Sequence, residues 1–152
     1  MSVVFTAGNT PDNAFATWML WRRWAMEENG VRLDSEGFMD HWMTLSNSGE
    51  FVQMVGWDGI EPVAMMAGRV LVHPVTGERS VYGDNTYVAP TYRKGGVMRA
   101  MLDFGIATAR LIGMRAIIAP VTAGTGATAA FLGKVYADAG FELSGLTMTR
   151  RT

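Results

Sequence analysis

Between Met98 and Ile112 the apolar residues Met98, Met101, Leu102, Gly105, Ile106, Ala109 and Ile112 recur at steps of three and four, which predicts one buried helical face. Gly113 follows the last of them, where a helix that ends in a left-handed residue favours glycine. The preceding stretch, residues 80–88 (SVYGDNTYV), carries the β-branched and aromatic residues that fit a pleated surface. Ala89-Pro90-Thr91 ends that strand, because Pro90 has no N–H to give to a ladder. A strand, a basic glycine turn (Tyr92-Arg93-Lys94-Gly95-Gly96) and a long amphipathic helix are therefore expected in succession.

The same patterns order the rest of the chain. Residues 2–7 form a short apolar run, expected as the first strand. Thr10, Pro11 and Asp12 suit the cap, first position and first turn of a helix expected over 11–29, with Gly30 as its stop. That helix carries Phe15, Trp18, Met19, Leu20, Trp21, Trp24 and Met26, an apolar arc wider than a surface helix needs, with most of the tryptophans expected in the core and Arg22, Arg23, Glu27 and Glu28 marking the wet side. A second helix starts at Asp34 or Ser35, with Phe38, Trp42 and Leu45 on one face and residues 46–49 as its end. Residues 50–56 and 63–73 read as strands joined through 57–62, where Asp58-Gly59 is a hairpin signal. Residues 74–78 turn the chain into the strand at 80–88, completing an antiparallel meander.

After the central helix, residues 114–121 (MRAIIAPV) form a continuous apolar run, expected as a strand buried on both faces. It follows strand and helix, so the pair makes a parallel βαβ unit. A loop at 122–126, a helix over 127–139 stopped by Gly140, and a strand over 141–149 complete the order β-α-α-β-β-β-α-β-α-β. A single parallel crossover in a mixed sheet leaves two neighbouring strands that diverge, opening a slot for an extended ligand.

Composition narrows the function. With 152 residues, 49% hydrophobic and 18% charged, one globular domain over 1–152 is expected. A net charge of −1 gives no reason to expect nucleic acid or an anionic membrane as partner. There is no Cys, so thiolate catalysis and disulfides are excluded. His41 and His73 lack ligand spacing, and no metal is expected. No apolar run has membrane-spanning length, and Met1-Ser2-Val3 is not a signal n-region, so a cytoplasmic place is expected.

The glycine turn carries the chemistry. The first N–H groups of a helix have no partners within it, and the positive end of its dipole lies there too. Gly95 and Gly96 allow close backbone approach, and Arg93 and Lys94 add charge, which together suit an anion. Gly124 to Ala129 also fits G-x-G-x-x-A, but a dinucleotide fold needs more βαβ units than the single strand left after it.

Val88, Pro90, Tyr92, Arg93, Gly96 and Val97 fall on the V-x-P-x-[YF]-R-x-x-G-[IV]-[GA] motif of the GNAT acetyltransferase superfamily. Tyr136 to Phe141 fits its Y-x-x-x-G-F ending, and with the element order the chain resembles that superfamily over nearly its full length. The resemblance implies an α/β (α+β) fold with a mixed, mostly antiparallel sheet of about six strands and a splayed parallel pair. It implies acetyl-CoA as co-substrate, its pyrophosphate held by the backbone N–H groups of Arg93, Lys94, Gly95, Gly96, Val97 and Met98. The pantetheine arm would pair with the strand around Tyr87 and Val88. Direct acetyl transfer to a primary amine, on a small molecule or on a protein or peptide, is the implied reaction, with Tyr136 protonating the thiolate. Met98 stands where the motif has Gly or Ala, and Ala130 where the last helix often has Asn.

Chemistry adds two candidates. The Val88 N–H suits the developing oxyanion, and Asp84, on the strand lining the splay, is the candidate base for the amine. The competing expectation is a non-catalytic protein of the same fold, such as a homo-oligomer or a subunit of a larger assembly like a phage virion. Four tryptophans between Trp18 and Trp42 and 12 methionines would supply its contact surface.

Overall fold

Thr10 starts the first long helix: its hydroxyl accepts a hydrogen bond from the Asn13 N–H at 3.2 Å, with Pro11 in the first position. The helix, α1, runs Pro11–Asn29 as its sequence predicts, and Gly30 closes it at φ +61°. The computed structural model describes residues 2–30, 35–119 and 126–142. Around α1 stand β1 (Val4–Ala7), α2 (Ser35–Asn47), β2 (Phe51–Asp58), β3 (Glu61–Val72) and β4 (Arg79–Val88). A 3₁₀ turn (Pro90–Tyr92), α3 (Val97–Leu111), β5 (Ala116–Ile118) and α4 (Gly126–Asp138) follow. The expected cap Asp34 and the loop residues 122–125 lie outside the described residues.

The sheet order is β1-β2-β3-β4-β5, antiparallel throughout except for the parallel β4–β5 pair. Three expectations need correcting. The β2–β3 connection is Gly59-Ile60 alone, since Trp57 pairs with Pro62 and Asp58 with Glu61. Gly59 at φ +62°, followed by a residue without positive φ, lets the chain reverse in two residues. Of the strand expected over 114–121, the described residues form only Ala116–Ile118, with Ala116 and Ile118 exposed instead of buried on both faces; residues 120 and 121 lie outside the described ones. The final strand expected over 141–149 is not formed at Phe141 and Glu142, and its remaining residues lie outside the described ones.

Period-two alternation sends the strand side chains to two faces. On one, Val55, Met65 and Tyr87 pack against Ala16 and Leu20 of α1, while Phe51 and Ala67 pack with Ala14 and Trp42. Trp42 is fully buried and meets Trp21 and Phe51 edge-on, at ring distances of 4.6 and 4.8 Å. On the other face, Met54, Ala64 and Val88 pack against Val97 and Met101 of α3. Gly105 brings α3 close to the sheet, for a Cβ there would meet the Met54 methyl at 2.8 Å. These elements belong to one compact unit, Met1–Pro120; α4 belongs to a second, Val121–Thr152, in which Tyr136 and Phe141 form an edge-to-face pair at 5.2 Å.

Candidate active site

β4 loses its outer neighbour half-way along. β5 pairs only with Ser80, Val81 and Tyr82, whereas β3 stays paired with β4 up to Val88. Ala67 pairs with Asn85 and Gly68 with Gly83, so Asp84 is the extra residue of a bulge where the two outer strands part. Beyond it, β4 has a free edge among the described residues. The Ala89 N–H donates to the Val63 carbonyl at 2.8 Å, so by alternation the N–H groups of Val88 and Thr86 point away from β3, toward that free edge. Among the described residues, the parallel pairing ends at Tyr82 and Ile118, where the topology leads one to expect the splay.

At the end of this edge lies the glycine turn. Tyr92 and Arg93 donate their N–H groups back to Ala89 and Pro90, and Gly95 donates to the Tyr92 carbonyl at 3.3 Å. Gly96 adopts φ +75° and no side chain caps α3. Among the described residues, the N–H groups of Lys94, Gly96, Val97 and Met98 meet no acceptor, and they cluster at the positive end of a 15-residue helix. Met98 is half-buried and packs with the Met54, Ala64, Val88 and Met101 cluster, so its side chain is engaged with the sheet.

The side chain of Arg93 turns the other way. Its Nε donates to the Val88 carbonyl at 2.8 Å, and its Nη2 donates to Glu27 Oε2 at 3.0 Å. The Tyr87 hydroxyl donates to Glu27 Oε1 at 2.6 Å. Burial, with the neighbouring Glu27 carboxylate as second cause, raises the Tyr87 phenol well above its ordinary range. Tyr92 donates to Asp58 Oδ2 at 2.8 Å, and that hydrogen bond, chiefly, raises its pKa as well.

The Acetyltransferase (GNAT) family model matches residues 16–136. The chain belongs to the GNAT acetyltransferase family. Solved structures agree on the fold of this GNAT chain. A possible acetyltransferase from Clostridium difficile 630 is similar with a TM-score of 0.78 and 12% identity, covering 100% of this chain and 98% of its own. An aminoglycoside acetyltransferase from an uncultured soil metagenomic sample matches at TM-score 0.75 and 18% identity, covering 100% and 99%. AAC(6′)-Iy, in complex with the bisubstrate analogue CoA-S-monomethyl-acetylneamine, matches at 0.75 and 13%, covering 100% and 99%. A search of curated protein sequences finds no match.

Within this GNAT domain, Tyr87 and Val88 stand side by side at the end of β4, and Lys94, Gly95, Gly96, Val97 and Met98 follow on the turn and helix start. The backbone of Asp84 is at the bulge; its side chain, like that of Ala130, lies outside what is described. Tyr136 is buried on α4. Sequence reasoning missed two participants of this region. Thr86 shares the free edge with Val88, a consequence of strand phase that the bulge conceals. Glu27, expected on the wet side, extends the Ala16, Leu20 and Trp24 stripe of α1 by one further step of three, and that spacing was the available signal.

Proposed function

We propose that this GNAT enzyme transfers the acetyl group of acetyl-CoA directly to a primary amine. The observation that carries this is the set of unbonded N–H groups at Lys94, Gly96, Val97 and Met98, opening beside the free edge of β4. A diphosphate is an anion of suitable charge for such donors, and a pantetheine amide can pair with a strand edge. In the step itself, the lone pair of a neutral amine attacks the thioester carbonyl carbon. The Val88 N–H donates to the oxyanion that forms. As the carbonyl is restored the C–S bond breaks; by the family's pattern Tyr136 would give its phenolic proton to the thiolate and regain one from solvent. The ammonium proton leaves through Asp84 to solvent. No metal takes part, and the reading carries with it a cytoplasmic place for the chain.

The acceptor is proposed by class. The aminoglycoside acetyltransferases among similar folds make small polyamines the first to try, with lysine-bearing and N-terminal peptides next. Because the chain has no Cys, a thiol reagent added to the purified protein reads only released CoA. Thiol should appear when acetyl-CoA and an amine are both present. No release with any amine of the panel, together with no binding of acetyl-CoA in calorimetry, overturns the reading.

A further inference from the structure

We propose that Glu27, Arg93 and Tyr87 form a brace that covers the Val88 carbonyl and leaves the Val88 N–H as the group presented to the acetyl carbonyl, making Arg93 and Glu27 positioning residues of the transfer. The inference rests on the functional reading above and adds to it a role for side chains outside the phosphate turn.

The geometry is that of a closed ring. Four residues separate Val88 from Arg93, and the Arg93 Nε–H donated to the Val88 carbonyl at 2.8 Å joins the two ends of that turn. The same guanidinium is held at its other side by Glu27 Oε2 at 3.0 Å. Glu27 is held in turn by the Tyr87 hydroxyl at 2.6 Å, and Tyr87 is only 3% exposed. The guanidinium carbon also lies 5.8 Å from the centre of the Tyr87 ring. The turn that leads from strand to phosphate loop is thus anchored to α1 and to a buried ring of β4.

The consequence for chemistry follows from alternation. Within one strand residue, N–H and C=O point to the same side, so the Val88 carbonyl shares the free edge with the Val88 N–H. An uncovered carbonyl there would oppose the negative charge that the N–H is placed to receive. Arg93 covers that carbonyl with a charged donor, leaving the N–H as the group presented. Glu27 balances the charge of Arg93, so the arginine stays by the peptide and is not drawn to a bound phosphate. Charge-assisted bonds of this kind hold orientation better than neutral ones.

The test uses acetyl-CoA labelled with ¹³C at the thioester carbonyl, bound to the full chain, with its infrared carbonyl band as readout. A hydrogen bond from Val88 lowers the band relative to water. Arg93→Met and Glu27→Ala should lose most of that lowering and reduce kcat about tenfold, less than the hundredfold or more typical of removing an oxyanion donor itself. Acetyl-CoA affinity should change less than threefold, because the phosphate donors are elsewhere. Glu27→Gln keeps one acceptor oxygen for Arg93, while its amide N–H can donate to the Tyr87 hydroxyl oxygen, and should recover part of both losses. A merely structural brace would lower melting temperatures and leave the band in place, overturning the inference alone. Glu27→Gln as impaired as Glu27→Ala, with the band unmoved in both, would also overturn it by making Glu27 a base. A wild-type chain that does not bind acetyl-CoA overturns the functional reading and this inference with it.

Discussion

At the scale of single residues, Gly96 separates binding from folding. It adopts φ +75°, with nothing within 4 Å of the place where a Cβ would stand. Gly96→Ala should therefore cost only the left-handed strain of an L-residue, roughly 1 kcal/mol in chemical denaturation, and keep acetyl-CoA binding. Gly96→Asp should suffer similar strain and lose binding, because its carboxylate would occupy the donors and repel a diphosphate. Calorimetry on the two variants checks this; unaltered affinity in a folded Gly96→Asp protein would count against the assignment of the turn. Tyr87 gives a pH prediction. Its folded pKa is raised by burial and by Glu27, so its stabilisation is full below the ordinary tyrosine value of 10.0 and is lost as pH rises beyond it. Stability measured from pH 8 upward should fall with a slope that Tyr87→Phe reduces. The turn glycines and Pro90 were legible from sequence because backbone geometry demands those residue types. The direction of the Arg93 side chain was not, since it depends on Glu27, 66 positions away.

At the scale of elements, two glycines in close contacts should respond in opposite ways. A Cβ at Gly68 would collide with the Tyr82 carbonyl oxygen, a backbone atom fixed in β4 next to the bulge. Gly68→Ala must displace the strand and should cost on the order of 1–3 kcal/mol, the usual range of overpacking. A Cβ at Gly105 would lie 2.8 Å from the Met54 methyl, the far end of a flexible side chain. There the thioether can swing aside, and helix propensity returns about 1 kcal/mol, so Gly105→Ala should be near neutral. Equal losses in urea titrations of the two variants would contradict this account of how α3 and β4 are seated. The long helices α1 and α3 were read closely because caps, glycine stops and a continuous apolar stripe all agreed. The hairpin loop looks longer in the sequence than its two residues, because Trp57 and Pro62 resemble loop residues until their pairing at the hairpin end of β2 and β3 is seen. The strand at 114–121 was read as doubly buried because hydrophobicity reports preference, whereas exposure depends on which neighbours arrive.

At the scale of the whole molecule, the competing readings differ in one linkage. A ligand that binds only the folded chain stabilises it by about 2.7 kcal/mol at a hundredfold excess over Kd, which for a domain of this size is a rise in melting temperature of roughly 5–10 °C. Acetyl-CoA should produce that rise. Free CoA should produce most of it, because the diphosphate meets the same donors at the start of α3 while the acetyl group adds only its contact with β4. The net charge of the chain is −1, so attraction of the anion must be local to the turn and not a property of the overall field. Lys94 is exposed, and a charge in high dielectric contributes little; Lys94→Gln should remove only a small part of the shift and make it less sensitive to salt. Gly96→Asp should remove nearly all of it at any salt concentration, because it acts on the donors themselves. A non-catalytic assembly subunit of the same fold predicts no shift with either ligand and no difference among these variants. Thermal melts with acetyl-CoA, with CoA and without ligand, at low and at 0.5 M salt, therefore separate an enzyme that uses its phosphate turn from a scaffold that merely keeps the turn's shape.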